Sequence, residues 1–271
     1  MAIYEVIKAL FLGIIQGITE WLPISSTGHM ILFENIFKFN MSQQFINTFF
    51  VVIQLGSIMA VIVLYFKKLN PFKKEIKPRN ETISLWLKIA VAAVPAAIIG
   101  LLFNDQIDSL LYNSLTVAIT LIVYGILFLV IESKPRKVTT DDLTKITFKT
   151  ALFIGIFQVL ALIPGTSRSG ATILGAMFLG TSRFVASEFS FFLAIPMMLG
   201  ASAVKLIKVG FAFSSLELVV LLTGMITAFI VSIFAIKLLL GYIKNHNFKV
   251  FGYYRIILGS IILIIYLLEV L

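Results

Sequence analysis

The chain has 271 residues, of which 59% are hydrophobic and only 13% charged, and its mean hydropathy is +1.04. Apolar runs of roughly 20 residues recur along it, long enough to cross a bilayer core of about 30 Å, and no alternating strand pattern is present, so a soluble domain is excluded and an all-α polytopic membrane protein expected. The net charge of +9 lies in loops, which points away from nucleic acid, and the absence of cysteine excludes disulfides, thiolate metal sites and a cysteine nucleophile.

Residues 2–37 are apolar at both ends but interrupted by "EWLPISSTGH" at 20–29. The stretch lacks the basic start and A-x-A site of a signal peptide, so it is expected to stay in the mature protein. Proline, glycine and serine end one half-helix and let another begin, which suits a re-entrant hairpin buried in protein. Spanning helices are predicted near 45–66, 83–103 and 113–131. A second interrupted segment, 150–182, carries "LIPGTSRSG" at 162–170 and predicts a second re-entrant hairpin. Three further spans follow near 187–208, 216–239 and 253–271. Pro95 and Pro196 are expected to kink their helices, and Glu188 to sit favourably near the start of one.

With both hairpins returning to the side they entered, the loops at 67–82, 132–149, 182–186 and 240–252 share one side and carry most of the basic residues. The opposite loops hold Lys38 with Asp105 and Asp108, and Lys205 and Lys208 close a helix. By the positive-inside rule the basic side is cytoplasmic, and both termini lie outside.

Shifted by 142 positions, residues 9–32 fall on 151–174 without a gap, with ten identities in 24. Oily composition inflates that score, but it does not explain the matched Gly13, Gln16, Ser25 and Gly28. The chain is therefore read as two copies of one unit, 1–131 and 132–271, each a hairpin followed by three spans. An odd number of spans inverts the second copy, so the two tips are expected to meet near the midplane, where broken helices aim their ends at a shared site.

The first tip offers Glu20, Ser25, Ser26, Thr27 and His29; the second offers Thr166, Ser167, Arg168, Ser169, Gly170 and Thr172. An arginine at the centre of a membrane helix costs about 2.5–3.5 kcal/mol on insertion scales, and a bound anion offsets that cost. Its planar fork matches phosphate oxygens, glycine lets the backbone approach, and a helix starting near residue 170 presents free N–H groups. His29 can act as base, acid or nucleophile, and Ser26 is an alternative nucleophile if His29 activates it. Glu20 can orient the imidazole, hold a divalent cation, or simply pair with Arg168. Gln16 shares a helical face with Glu20, or hydrogen-bonds across helices. Any single hydroxyl also has a plain use in close helix packing.

"QGITEWLPISSTGH" and "PGTSRSGAT" together resemble the two signature motifs of the undecaprenyl-diphosphate phosphatases, the bacitracin-resistance family of bacterial membranes. The likeness extends over the chain, including "SEFSFFLAIPMMLGAS". It implies hydrolysis of the lipid carrier diphosphate to the monophosphate and inorganic phosphate, at a site reached from the outer face of the cell membrane. Carried onto this sequence, the acidic motif falls on Gln16 and Glu20, the hydroxyl and histidine run on Ser25, Ser26, Thr27 and His29, and the arginine motif on Ser167, Arg168, Ser169 and Thr172. Some relatives have glutamate where Gln16 stands, so Glu20 is the one carboxylate of this motif.

The resemblance also implies stimulation by a divalent cation, Mg²⁺ or Ca²⁺, with Glu20 and Gln16 as its ligands. The expected mechanism has Arg168 and the second tip binding the diphosphate while His29 activates Ser26 or a water for in-line attack. The rival readings are a transporter or lipid flippase using the same midplane site, and an anion channel selecting with half-helix ends. Neither tip carries a dimer motif, so oligomeric state stays open.

Overall fold

Four helices, three of them only 11 or 12 residues long, meet at the two places where the sequence interrupts its apolar runs, and the rest of the fold is built around them. The computed structural model describes residues 2–37, 39–210 and 212–270, and the side chains at 31, 34–36, 104, 108, 269 and 270 are outside that description. Lys38 and the side chain of Asp108, both weighed in the charge count above, therefore lie outside the described residues.

In chain order the helices are α1 (Ala2–Thr19), α2 (Ser26–Ile36), α3 (Gln43–Leu64), α4 (Phe66–Leu69), α5 (Ile76–Leu111) and α6 (Ser114–Ile131). The second half holds α7 (Phe148–Val159), α8 (Arg168–Phe178), α9 (Arg183–Val209), α10 (Ser215–Asn245) and α11 (Lys249–Val270). Polar side chains start most of them by accepting from a first-turn N–H: Ser42 for α3, Asn113 for α6, Thr147 for α7, Ser182 for α9. Ser214 and Glu217 form a reciprocal capping box on α10. Pro95 and Pro196 sit inside α5 and α9.

Among the described residues, seven helices are long and apolar enough to cross a membrane, where the sequence reading has six. The additional one is α1, the first arm of the segment at 2–37, whose 18 residues reach that length. The six expected spans all appear, some longer: α5 runs 36 residues, and α9 starts at Arg183, which puts Glu188 in its second turn rather than at its head. There Glu188 pairs with Lys68 at 2.8 and 3.0 Å.

Helix packing is reciprocal between the two halves. α1 lies along α10, and its counterpart α7 lies along α5; α3 packs on α10, and α9 on α5. α3 meets α9, and α6 meets α11, in extended contacts. Small residues allow the closest of these approaches: a Cβ on Gly13 would stand 2.7 Å from the Gly224 carbonyl of α10. Gly155, 142 positions on, makes the equivalent close approach to the Ala92 carbonyl of α5.

Polar contacts gather the basic loops at one end of the bundle. Glu132, at the end of α6, accepts from Arg183 at 2.7 and 2.5 Å and from the Phe248 N–H at 3.1 Å. Arg136 closes the C-terminus of α8 by donating to the Met177 carbonyl at 2.6 Å. Lys88 donates to the Thr144 carbonyl and Trp86 to the Leu69 carbonyl, so the connections at 66–75 and 132–147 meet there too. At the opposite end, Glu5 accepts from the Asn40 N–H, and Phe213 packs edge-on to Phe45.

Burial alone would raise the Glu132 carboxyl, but the Arg183 and Phe248 hydrogen bonds and the charges of Arg183 and Arg136 outweigh it and hold it below its ordinary value. A depressed carboxyl contributes stability that is fully present above its unfolded value near 4.3 and is lost as pH falls through the folded value. Glu132→Gln is therefore expected to cost about 1–2 kcal/mol at neutral pH, between an exposed and a buried pair. Thermal unfolding in detergent should show a drop of roughly 2–8 °C at pH 7 that closes as pH falls below about 4. A drop that persisted unchanged at low pH would remove the ionised pair from the account.

Candidate active site

Each tip is a helix start with the same unusual backbone. After α1 the chain turns through residues 20–25 and Ser25 caps α2 with φ 71°, its hydroxyl accepting from the Gly28 N–H at 3.2 Å. After α7 a single 3-10 turn and residues 163–167 lead to Ser167, which caps α8 with φ 72° and accepts from the Gly170 N–H at 3.1 Å. Among the described residues these two serines are the only non-glycine residues with positive φ. They are 142 positions apart, as are both ends of the 11-residue helices they cap. Such backbone costs on the order of 1–3 kcal/mol per residue and clusters at functional sites; the cap hydrogen bonds offset part of it.

The two helix starts converge on one carboxylate. Glu20 Oε1 accepts from Arg168 Nη2 at 2.8 Å, while Oε2 accepts from the Ser26 hydroxyl at 3.2 Å and from Gln16 Nε2 at 3.0 Å. Ser26 and Arg168 are the first residues of α2 and α8, so the positive ends of both helices face the same charge. The other arm of Arg168, Nη1, donates to the Ser190 carbonyl of α9 at 2.8 Å. Its guanidinium carbon lies 5.6 Å from the centre of the Trp21 ring, which is buried and meets Phe191 edge-on. Glu20 is 5% exposed and the Arg168 side chain 13%, so the pair is nearly dry but reachable, and Arg168 Nε has no partner.

His29 is placed differently from the expectation that it activates Ser26. Its Nδ1 lies 2.7 Å from the Ser25 carbonyl, which can only accept, so Nδ1 carries the proton. Nε2, 2.7 Å from the Tyr254 hydroxyl of α11, is then the acceptor. With both ring nitrogens engaged, the Ser26 hydroxyl falls to Glu20 instead.

The remaining tip hydroxyls divide into two groups. Ser169 Oγ lies 3.2 Å from the carbonyl oxygens of both Glu20 and Leu22, tying tip to tip. Thr172 turns back to the Arg168 carbonyl at 2.8 Å and to Ser190 Oγ at 2.7 Å. Thr166 Oγ1 is buried with no partner, and Thr27 is half-buried in the first turn of α2. Gln158, the counterpart of Gln16, is likewise buried with neither side-chain atom paired.

Among the described residues no cluster of three histidine, cysteine, aspartate or glutamate side chains forms a metal site. At the tips, Gln16 and Ser26 place an amide and a hydroxyl on the Glu20 carboxylate.

Trp21, Ser190, Tyr254 and Arg255 also reach the tips and were not singled out from the sequence. With α11 beginning at Lys249, Arg255 lies inside an apolar helix, as costly a place for an arginine as that of Arg168.

The fold and the site define a multi-pass helical membrane protein whose two broken segments assemble a buried arginine–carboxylate centre. The family model described as bacitracin resistance protein BacA matches residues 9–261, and the chain belongs to that family. It is 61% identical over 267 residues to a protein named undecaprenyl-diphosphatase from Acetivibrio thermocellus, covering 97% of this chain and 98% of that one. It is 58% identical over 264 residues to undecaprenyl-diphosphatase 1 from Clostridioides difficile (strain 630), covering 97% and 96%. An undecaprenyl-diphosphatase from Enterococcus faecalis is 57% identical over 267 residues, covering 96% and 97%.

Proposed function

We propose that the chain hydrolyses undecaprenyl diphosphate to undecaprenyl phosphate and inorganic phosphate, as its relatives' names describe, and does so at the two tips. The observation that carries the reading is the Glu20 carboxylate shared by Arg168 and Ser26, the first residues of the two tip helices. Arg168 binds the diphosphate in place of part of its bond to Glu20, and the free first-turn N–H groups of α2 and α8 receive further phosphate oxygens. Ser25 and Ser167 shape that cradle through their caps, Gly170 gives its N–H to the Ser167 cap, Thr166 and Thr27 supply hydroxyls, and Ser169 and Thr172 hold it from behind.

Glu20 is the base nearest Ser26. It takes the hydroxyl proton as Oγ bonds to the terminal phosphorus, and the bond to the bridging oxygen breaks to release the lipid monophosphate. Water then hydrolyses the phosphoserine to free serine and phosphate. His29, held by Ser25 and Tyr254, places its Nε2 beside the Tyr254 hydroxyl as the second proton-exchanging group. The donor set of one carboxylate, one amide and one hydroxyl fits a cation carried in on the diphosphate better than one resident in the protein, since Mg²⁺ commonly takes one or two carboxylates plus substrate phosphate and water. Such a cation would neutralise charge on the phosphate oxygens, with Glu20 and Gln16 holding it.

The inverted repeat and the re-entrant hairpins belong to the same reading. α7 has 12 residues and α2 and α8 have 11 each, about 16–18 Å at 1.5 Å per residue and too short for a core of about 30 Å. Reciprocal packing of α1 on α10 and α7 on α5, and the paired positive-φ serines, support a two-fold relation between copies 1–131 and 132–271. The basic loops gathered at one end then face the cytoplasm of a bacterial cell, both termini face outward, and the site opens to the outer face.

The test is phosphate release from undecaprenyl or farnesyl diphosphate by detergent-purified protein, with and without Mg²⁺ or Ca²⁺. Release above the uncatalysed rate is expected. Folded protein that released none under every condition would sink the enzyme reading, and substrate flux into liposomes would then support the transporter.

A further inference from the structure

Arg255 is the second arginine of the site and has a different environment from the first. It is 0% exposed in the second turn of α11, and among the described residues no carboxylate pairs with it. Its guanidinium spends itself on backbone. Nη1 donates to the Pro23 carbonyl of the first tip at 3.2 Å, and Nη2 to the Gly165 and Thr166 carbonyls of the second tip at 2.9 Å each. The guanidinium carbon lies 5.5 Å from the centre of the Tyr124 ring. A Cβ on Gly170, in the first turn of α8, would come within 3.2 Å of Nη1, so the fork is wedged against the helix start.

Burying an arginine without a counter-ion is costly, and breaking its remaining contacts leaves the charge uncompensated. The residue therefore earns an explanation. The three carbonyls belong to residues just before the two positive-φ caps: Pro23 precedes Ser25 by two, and Gly165 and Thr166 immediately precede Ser167. A planar fork holds its donors at a fixed spread that reaches carbonyls of two separate turns, whereas an ammonium presents its three donors from a single point.

We infer that Arg255 is a positioning residue: by clamping the carbonyls of both turns it fixes the first residues of α2 and α8, Ser26 and Arg168, in register on either side of Glu20. The inference rests on the phosphatase reading above, because register matters to a reaction that needs Ser26 and Arg168 on the same phosphorus. It also gives α11 a role that neither tip motif carries.

The test compares the parent with Arg255→Met and Arg255→Lys, measuring kcat and KM for phosphate release from farnesyl diphosphate alongside thermal unfolding in detergent. Misplaced tips should lower kcat by about 100-fold or more, the loss a misplacement of about 1 Å produces, with KM moving less than threefold. Lysine restores the charge but not the fork, so Arg255→Lys should stay at least 10-fold below the parent. A loss seen only in KM, or full rescue by lysine, would overturn the clamp in favour of simple charge attraction. Collapse of the fold in both variants would also overturn it, by making the residue structural. A parent that releases no phosphate is a different failure, that of the phosphatase reading itself.

Discussion

Arg168→Ala is expected to lower kcat/KM for phosphate release by about 10³-fold or more, the range seen when a transition-state arginine is removed from phosphoryl transfer. The size follows from what the side chain holds: one arm on Glu20 and the other on the Ser190 carbonyl, with Trp21 under the plane. That arrangement aims a desolvated fork at the place where the diphosphate must sit, and alanine removes both its charge and its direction. Stability has to be separated from chemistry, because alanine also strands a buried carboxylate, and breaking a buried pair costs about 3–5 kcal/mol. Arg168→Lys makes the separation. Lysine keeps a cation beside Glu20, so unfolding should return close to the parent temperature, but it cannot fork between Glu20, Ser190 and phosphate, so most of the rate loss should remain. A stable Arg168→Ala protein within tenfold of the parent would take the arginine out of the chemistry.

The sequence carried the frame of this site because its signals were local. Proline, glycine and serine interrupting apolar runs at 20–29 and 162–170 marked both tips, and the second tip helix starts at Arg168, two residues before the expected position near 170. The 142-residue offset then paired them. What stayed hidden depended on contacts between distant segments. Pairing of Glu20 with Arg168 was one of the roles open in the sequence, and it forms; no spacing rule adds the Ser26 hydroxyl, six residues away in the same tip. The same holds for His29, whose Tyr254 partner is 225 residues off and diverts the ring from Ser26. Arg255 was obscured for a simpler reason. A span drawn from residue 253 leaves it at the membrane edge, where an arginine needs no explanation, whereas α11 begins at Lys249 and puts it a turn further in. Among the described residues seven helices rather than six reach spanning length because α1 is six residues longer than its counterpart α7.

Glu20→Gln separates the two roles open to that carboxylate. If Glu20 is the base for Ser26, the amide keeps the shape and a hydrogen-bonding oxygen but cannot take the proton, and kcat should fall by about 10²–10⁴-fold. KM should hold or drop, because Glu20 occupies the Arg168 arm that phosphate needs, and the amide competes for it more weakly. A fall in kcat without a rise in KM is the signature of an interaction made in the transition state. If Glu20 acts chiefly through a cation, the loss should instead be recovered as Mg²⁺ is raised. Ser26→Ala completes the cycle. Removing the attacking oxygen should cost about as much as removing its base, and the double variant should be no worse than either, since groups that act as a unit lose their effect together. Losses that multiply would place Glu20 and Ser26 in separate steps and hand the attack to water.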